Sequence, residues 1–121
     1  MSDEGGVYLI VTDSVHVTAA ACDYLEGRLE DDDEVRALAS DDRDGQEALN
    51  VVRVRLPGVT VTTDTRPTAD LADRALSSDA DVIVVGRSVG EGTPGDVAER
   101  LFTGAERPLV VVSGSENPET I

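Results

Sequence analysis

Two short stretches carry the residue types from which a site could be built. One is Asp13, Ser14 and His16; the other is Gly86-Arg87 followed by Gly90, Gly92 and Gly95. An acid, a hydroxyl and an imidazole so close together suggest hydrolysis, but that chemistry also needs an acid behind the base and an oxyanion site. No motif supplies either, so His16 reads as helix surface. Asp13 and Ser14 can both cap the helix that follows; Asp13 can instead contact a ligand, and for it the cap is the reading preferred here. Glycines that open a helix can offer backbone N–H groups and the helix dipole to a phosphate, yet turns need glycine too, and a lone glycine-rich stretch is a weak signal. Arg87 is the basic residue placed to meet an anion there; pairing with Asp13 or Glu91 is the favoured alternative. Asp31, Asp32 and Asp33 have cation-ligand chemistry but read as a solvated turn. Cys22 is the single cysteine, so neither a disulfide nor a zinc site can be built within one chain.

Both stretches follow runs that must be strands. Residues 82–85 (VIVV) end in Gly86 and residues 109–112 (LVVV) precede Ser113 and Gly114; strands apolar at every position need cover on both faces, as in a parallel α/β sheet. Residues 7–12 (VYLIVT) form a similar strand ending at Asp13. The helix after it shows Val17, Ala20, Ala21, Tyr24 and Leu25 on one face and should end near Leu29. A weaker strand at 34–39 carries Arg36, which places it nearer an edge. An acidic loop, 40–45, leads to a helix over 46–55 with Ala48, Leu49 and Val52 inward, although Val51, Val52 and Val54 also suit a strand. Leu56-Pro57-Gly58 stops it.

Residues 59–63 (VTVTT) alternate apolar and polar, the mark of a strand with one wetter face or an edge position. A helix follows Pro67, capped by Thr65 or Thr68, with Leu71, Ala72, Ala75 and Leu76 inward. The last helix has Thr93 as N-cap, Pro94 at its first position, and Val97, Ala98, Leu101 and Phe102 inward. Five strands alternating with four helices predict one α/β domain over 1–121, doubly wound in three layers, with loose tails at 1–6 and 115–121. Ligands of such sheets sit beyond the C-terminal ends of the strands, where strand order reverses. Asp13 and the loop after Gly86 occupy those ends.

Composition narrows the partners. Asp and Glu number 25 against 10 Arg and no Lys, a formal net charge of −15. Self-repulsion of that size is relieved where salt is molar, because the Debye length shrinks to about 3 Å. A halophile's salt-rich cytosol is therefore the expected setting. No basic patch exists to displace phosphate counterions, which argues against nucleic acid and anionic membrane. Absence of an apolar run of membrane length or of a leader pattern points to the cytoplasm. A phosphorylated receiver domain would need a late Lys, and there is none.

In three places, VTDSVHVTAAACDYL, GVTVTTDTRPTADLADRALSSDADVIVVG and GDVAERLFTGAERPLVVVSG, the chain resembles the universal stress protein family, as a haloarchaeal member would, over nearly its whole length. The resemblance implies a Rossmann-like sheet of order 3-2-1-4-5, of the adenine nucleotide alpha hydrolase type, and usually a dimer. One branch of the family binds ATP, using an Asp after the first strand and a loop of Gly, two residues, Gly, nine residues, Gly, then Ser or Thr. Asp13 and Gly86 match its first elements. The second glycine position is Val89, with Gly90 one step late; the last aligns with Gly95 after eight residues instead of twelve, and Asp96 stands at the Ser or Thr position. Thr93 and Asp96 also form a shortened capping box that would use the helix's own donors.

The expectation is thus a regulatory association domain, not an enzyme, that does not bind ATP in the family manner. The alternative is a nucleotide-binding regulator holding ATP with Mg in a compressed cradle of Asp13, Gly86, Arg87, Gly90 and Gly95. In the order 3-2-1-4-5 the fifth strand is an unguarded apolar edge, so a homodimer through Leu109, Val110, Val111 and Val112 is expected.

Overall fold

The apolar runs pair into one sheet. The computed structural model describes residues 6–30, 32–87, 89 and 97–112. Strands β1 (Val7–Thr12), β2 (Glu34–Ser40), β3 (Thr60–Arg66), β4 (Val82–Gly86) and β5 (Leu109–Val112) run parallel in the order β3-β2-β1-β4-β5. Between them lie α1 (Val15–Glu26), α2 (Arg43–Arg55), α3 (Leu71–Leu76) and α4 (Val97–Gly104), with a 3-10 turn at Thr68–Asp70 ahead of α3. This is the three-layer, doubly wound architecture expected from the alternation of elements.

Strand pleat divides the core in two. Ile10, Val35, Ala37, Ala39 and Val84 pack with Ala21, Cys22, Leu25, Leu49 and Val52 from α1 and α2. Leu9, Val11, Leu38, Ile83 and Val85 pack with Leu71, Ala75, Val97 and Leu101 from α3 and α4. Successive strand residues point to opposite faces, and right-handed crossovers leaving the central β1 in opposite directions put one helix pair on each side.

Several expected details shift. α1 ends at Glu26 with Gly27 as C-cap, three residues before Leu29, and its buried set is Val17, Thr18, Ala21, Cys22 and Leu25. Ala20 and Tyr24 are only part-buried, because the stripe is rotated toward Thr18 and Cys22. α2 starts at Arg43, inside the expected acidic loop: Asp42 is its N-cap and accepts from the Gly45 amide at 2.9 Å. Ala48, Leu49 and Val52 are buried as expected, whereas Val54 is 75% exposed, which settles the element as a helix. β3 begins and ends later than the alternation implied and runs through Asp64, Thr65 and Arg66, since its ladder with β2 continues to Ser40↔Arg66 whatever the side chains. Thr65 therefore lies in a strand, and neither it nor Thr68 caps α3, which has no side-chain cap bond.

In α4, Val97 and Leu101 are buried, but Phe102 is 77% exposed instead of inward. The expected cap at Thr93, the Pro94 start, and the tails before Gly6 and from 113 onward lie outside the described residues.

Candidate functional site

β1 and β4 are neighbours with Val11 opposite Val85, so Asp13, Gly86 and Arg87 leave the sheet at the same end. Strand order reverses here, which is where ligands of open α/β sheets bind. The structure thus brings three of the sequence-predicted site residues together; Gly90 and Gly95 lie outside the described residues.

The chemistry at that end is largely internal. Ser14, not Asp13, caps α1: its Oγ accepts from the Val17 amide at 3.2 Å. The preference for Asp13 as the cap is corrected, and the reason is reach, since the hydroxyl at position 14 already stands three residues before that amide. Thr12 and Thr18 are fully buried; one hydroxyl donates to the other across 2.9 Å, and the Ser14 carbonyl lies within hydrogen-bond reach of both and accepts from the second. His16 is exposed beside this network. Asp13 is half-buried.

Gly86 has a packing role that its sequence did not announce. A Cβ built on it would lie 2.3 Å from Val17 Cγ1, so the space above the strand end is occupied by α1. The next two described amides are spent as well: Arg87 N–H donates to the Val112 carbonyl at 2.8 Å, and Val89 N–H donates to the Gly86 carbonyl at 3.2 Å. Val89 itself is fully buried in the α3/α4 core, and its carbonyl accepts from the Val97 amide. A phosphate cradle depends on backbone donors without an internal partner and on room for close approach. Neither is found at Gly86, Arg87 or Val89.

Other candidates resolve into structure. Asp33 accepts from the Gly6 amide at 2.7 Å and the Glu30 amide at 2.8 Å, fixing the turn before β2, while Asp81 accepts from the Val7 amide. Asp33 is thus more than a solvated turn residue. No group of three or more His, Cys, Asp or Glu among the described residues could hold a metal ion. Burial pushes the Cys22 thiol up to about 11. No helix among the described residues is long and apolar enough to cross a membrane.

A second feature lies away from the strand ends. α3 spans only six residues and packs over β1 and β2, leaving part of the β2–β3 face open. The result is a cleft of about 320 Å³, with Leu9 and Leu38 as floor, Arg36, Thr62 and Asp64 on the sheet, and Arg74 and Ser78 from the α3 side. Arg36 reaches Asp79 at 2.6 Å and Glu34 at 3.3 Å. Sequence reasoning did not find this site. Its signal was the polar alternate positions of β3, whose spacing marked a wet face without showing that a short helix would leave it open.

Fold and strand-end geometry define a doubly wound parallel α/β domain of Rossmann-like type. No family model matches the chain, and no curated protein does. Among solved structures it is similar to the cypemycin decarboxylase CypD, with 15% sequence identity and a TM-score of 0.46 over 100% of this chain and 74% of that one.

Proposed function

We propose that this domain acts by association, as a universal-stress-protein-like regulator, and does not bind ATP in the manner of that family's nucleotide-binding branch. One observation carries the reading: the ground a phosphate loop would need above β4 is filled by Val17, and the Arg87 and Val89 amides have internal acceptors. The acidic composition, with −15 formal charge and no Lys, supports a halophile's cytoplasm as the setting. Among the described residues no strand pairs with the outer edge of β5, which supports a homodimer through Leu109, Val110, Val111 and Val112, since an edge ladder of N–H and C=O groups is satisfied by a second copy about a two-fold axis.

The second reading keeps one observation in its favour, the convergence of Asp13, Gly86 and Arg87 at the reversal of strand order. It takes ATP with Mg into a compressed cradle that also uses Gly90 and Gly95. Isothermal titration with ATP and magnesium at high salt separates the two. The association reading expects no saturable heat, and a micromolar dissociation constant overturns it.

A further inference from the structure

We propose that the cleft on the β2–β3 face binds a small organic carboxylate: a monoanionic head held by Arg74 and Arg66, with a short apolar body on Leu9 and Leu38. The charge arithmetic is uneven across this face. Asp64 serves two guanidiniums at once, Arg66 and Arg74, each through Nε alone and each at 3.3 Å. The terminal nitrogens of both forks make no hydrogen bond among the described residues. At this end of the cleft one carboxylate faces two guanidiniums, whereas at the other end Arg36 faces two carboxylates, Glu34 and Asp79, so the positive excess is local to Asp64, Arg66 and Arg74.

Such a fork presents two parallel donors, the geometry that a planar carboxylate accepts. The bridges already present do not hold the guanidiniums strongly, because both partners are more than 40% exposed and exposed pairs contribute little. Turning the forks toward an incoming anion therefore costs little. The local excess at Arg66 and Arg74 suits a monoanion, and the Glu34 and Asp79 carboxylates at the Arg36 end disfavour a dianion such as phosphate.

The walls supply the rest. Arg66, Asp64 and Thr62 alternate along β3 and so share one face, and Asp64 stands beside Leu38 in the ladder. Leu38 and Leu9 form an apolar floor, with the Thr62 and Ser78 side chains on the lining. A cleft of about 320 Å³ falls at the small end of the range for ligand pockets, roughly 300–1,000 Å³. A compact ligand with a single charged end fits this combination of polar rim and apolar base.

The test is NMR titration of the full chain with hexanoate, using hexylammonium and inorganic phosphate as matched controls, at the lowest salt at which the domain stays folded. Hexanoate is expected to shift the Leu9 and Leu38 methyls and the Arg74 Nε–H saturably, and hexylammonium to leave them unmoved. Arg74→Gln should weaken hexanoate by about tenfold, the loss of a hydrogen bond to a charged group, and Arg66→Gln should act in the same direction. Arg28→Gln, which removes a guanidinium stacked on Tyr24 of α1 on the opposite face of the sheet, should leave hexanoate binding unchanged. The amide spectrum of each variant reports its folding directly. Absence of saturable shifts, phosphate binding as tightly as hexanoate, or equal weakening by the Arg28 and Arg74 variants would each overturn the proposal.

Discussion

Val17 of α1 stands where a side chain on Gly86 would have to be, with its Cγ1 2.3 Å from the position of a Cβ there. Glycine at the end of β4 is thereby a condition for docking α1 on the sheet, independent of any ligand. Gly86→Ala should destabilise the domain by about 1–3 kcal/mol, the usual range for overpacking a filled core. Val17→Ala in the same chain should recover part of that loss, giving a coupling of opposite sign to the single effects. Urea denaturation of the four proteins in this cycle measures it, and a neutral Gly86→Ala would mean that α1 shifts without cost.

Cys22 offers a pH test with few competing groups, because a chain without Lys has little besides Tyr and Cys titrating in the alkaline range. Its thiol is fully buried, and burial raises its pKa to about 11. The thiol is neutral when protonated, so the unfolded state ionises first as pH rises. Stability from this group is complete below the unfolded pKa, near 9, and is lost progressively up to about 11. A shift of this size corresponds to roughly 2–3 kcal/mol. Denaturant midpoints should fall more steeply between about pH 8 and pH 10.5 for the native chain than for Cys22→Ala; parallel curves would contradict the assignment.

The β5 edge gives an assembly test. Val111 is 43% exposed and Phe102 on neighbouring α4 is 77% exposed, so apolar surface accompanies a strand edge that no other described strand pairs with. Light scattering in high salt should give a dimer for the native chain, and Val111→Lys should shift it toward monomer by bringing like charges together across the axis. A native monomer, or a dimer indifferent to this substitution, would show that the edge is covered otherwise.

Salt should stabilise the fold. Repulsion among the excess of acids acts over a Debye length of about 10 Å at 0.1 M but only about 3 Å at 1 M, and apolar burial is strengthened by excluded salts. Thermal melts in NaCl or KCl should therefore show a midpoint that rises across this range. A flat or falling midpoint would remove the halophilic reading.

Much of this protein is written in local pattern. Apolar runs such as VIVV and VYLIVT can be satisfied only between two layers of helix, so strand number, strand type and the α/β class follow from residue types alone. Ala48, Leu49 and Val52 likewise had one place to go, the inward face of α2. Asp13 and Gly86 could be placed at strand ends for the same reason. What the spacing could not reveal depends on distance across the chain. That Ser14 and not Asp13 caps α1, that Val89 is core and that Val17 fills the space above Gly86 are consequences of how α1 and α4 settle on the finished sheet. Polar β3 residues joined a strand because β2 offered a ladder as far as Arg66, and Phe102 faces solvent because α4 meets the sheet through Val97 and Leu101. The cleft over Leu9 and Leu38 exists because α3 is too short to cover β3, a matter of tertiary geometry that no single segment encodes.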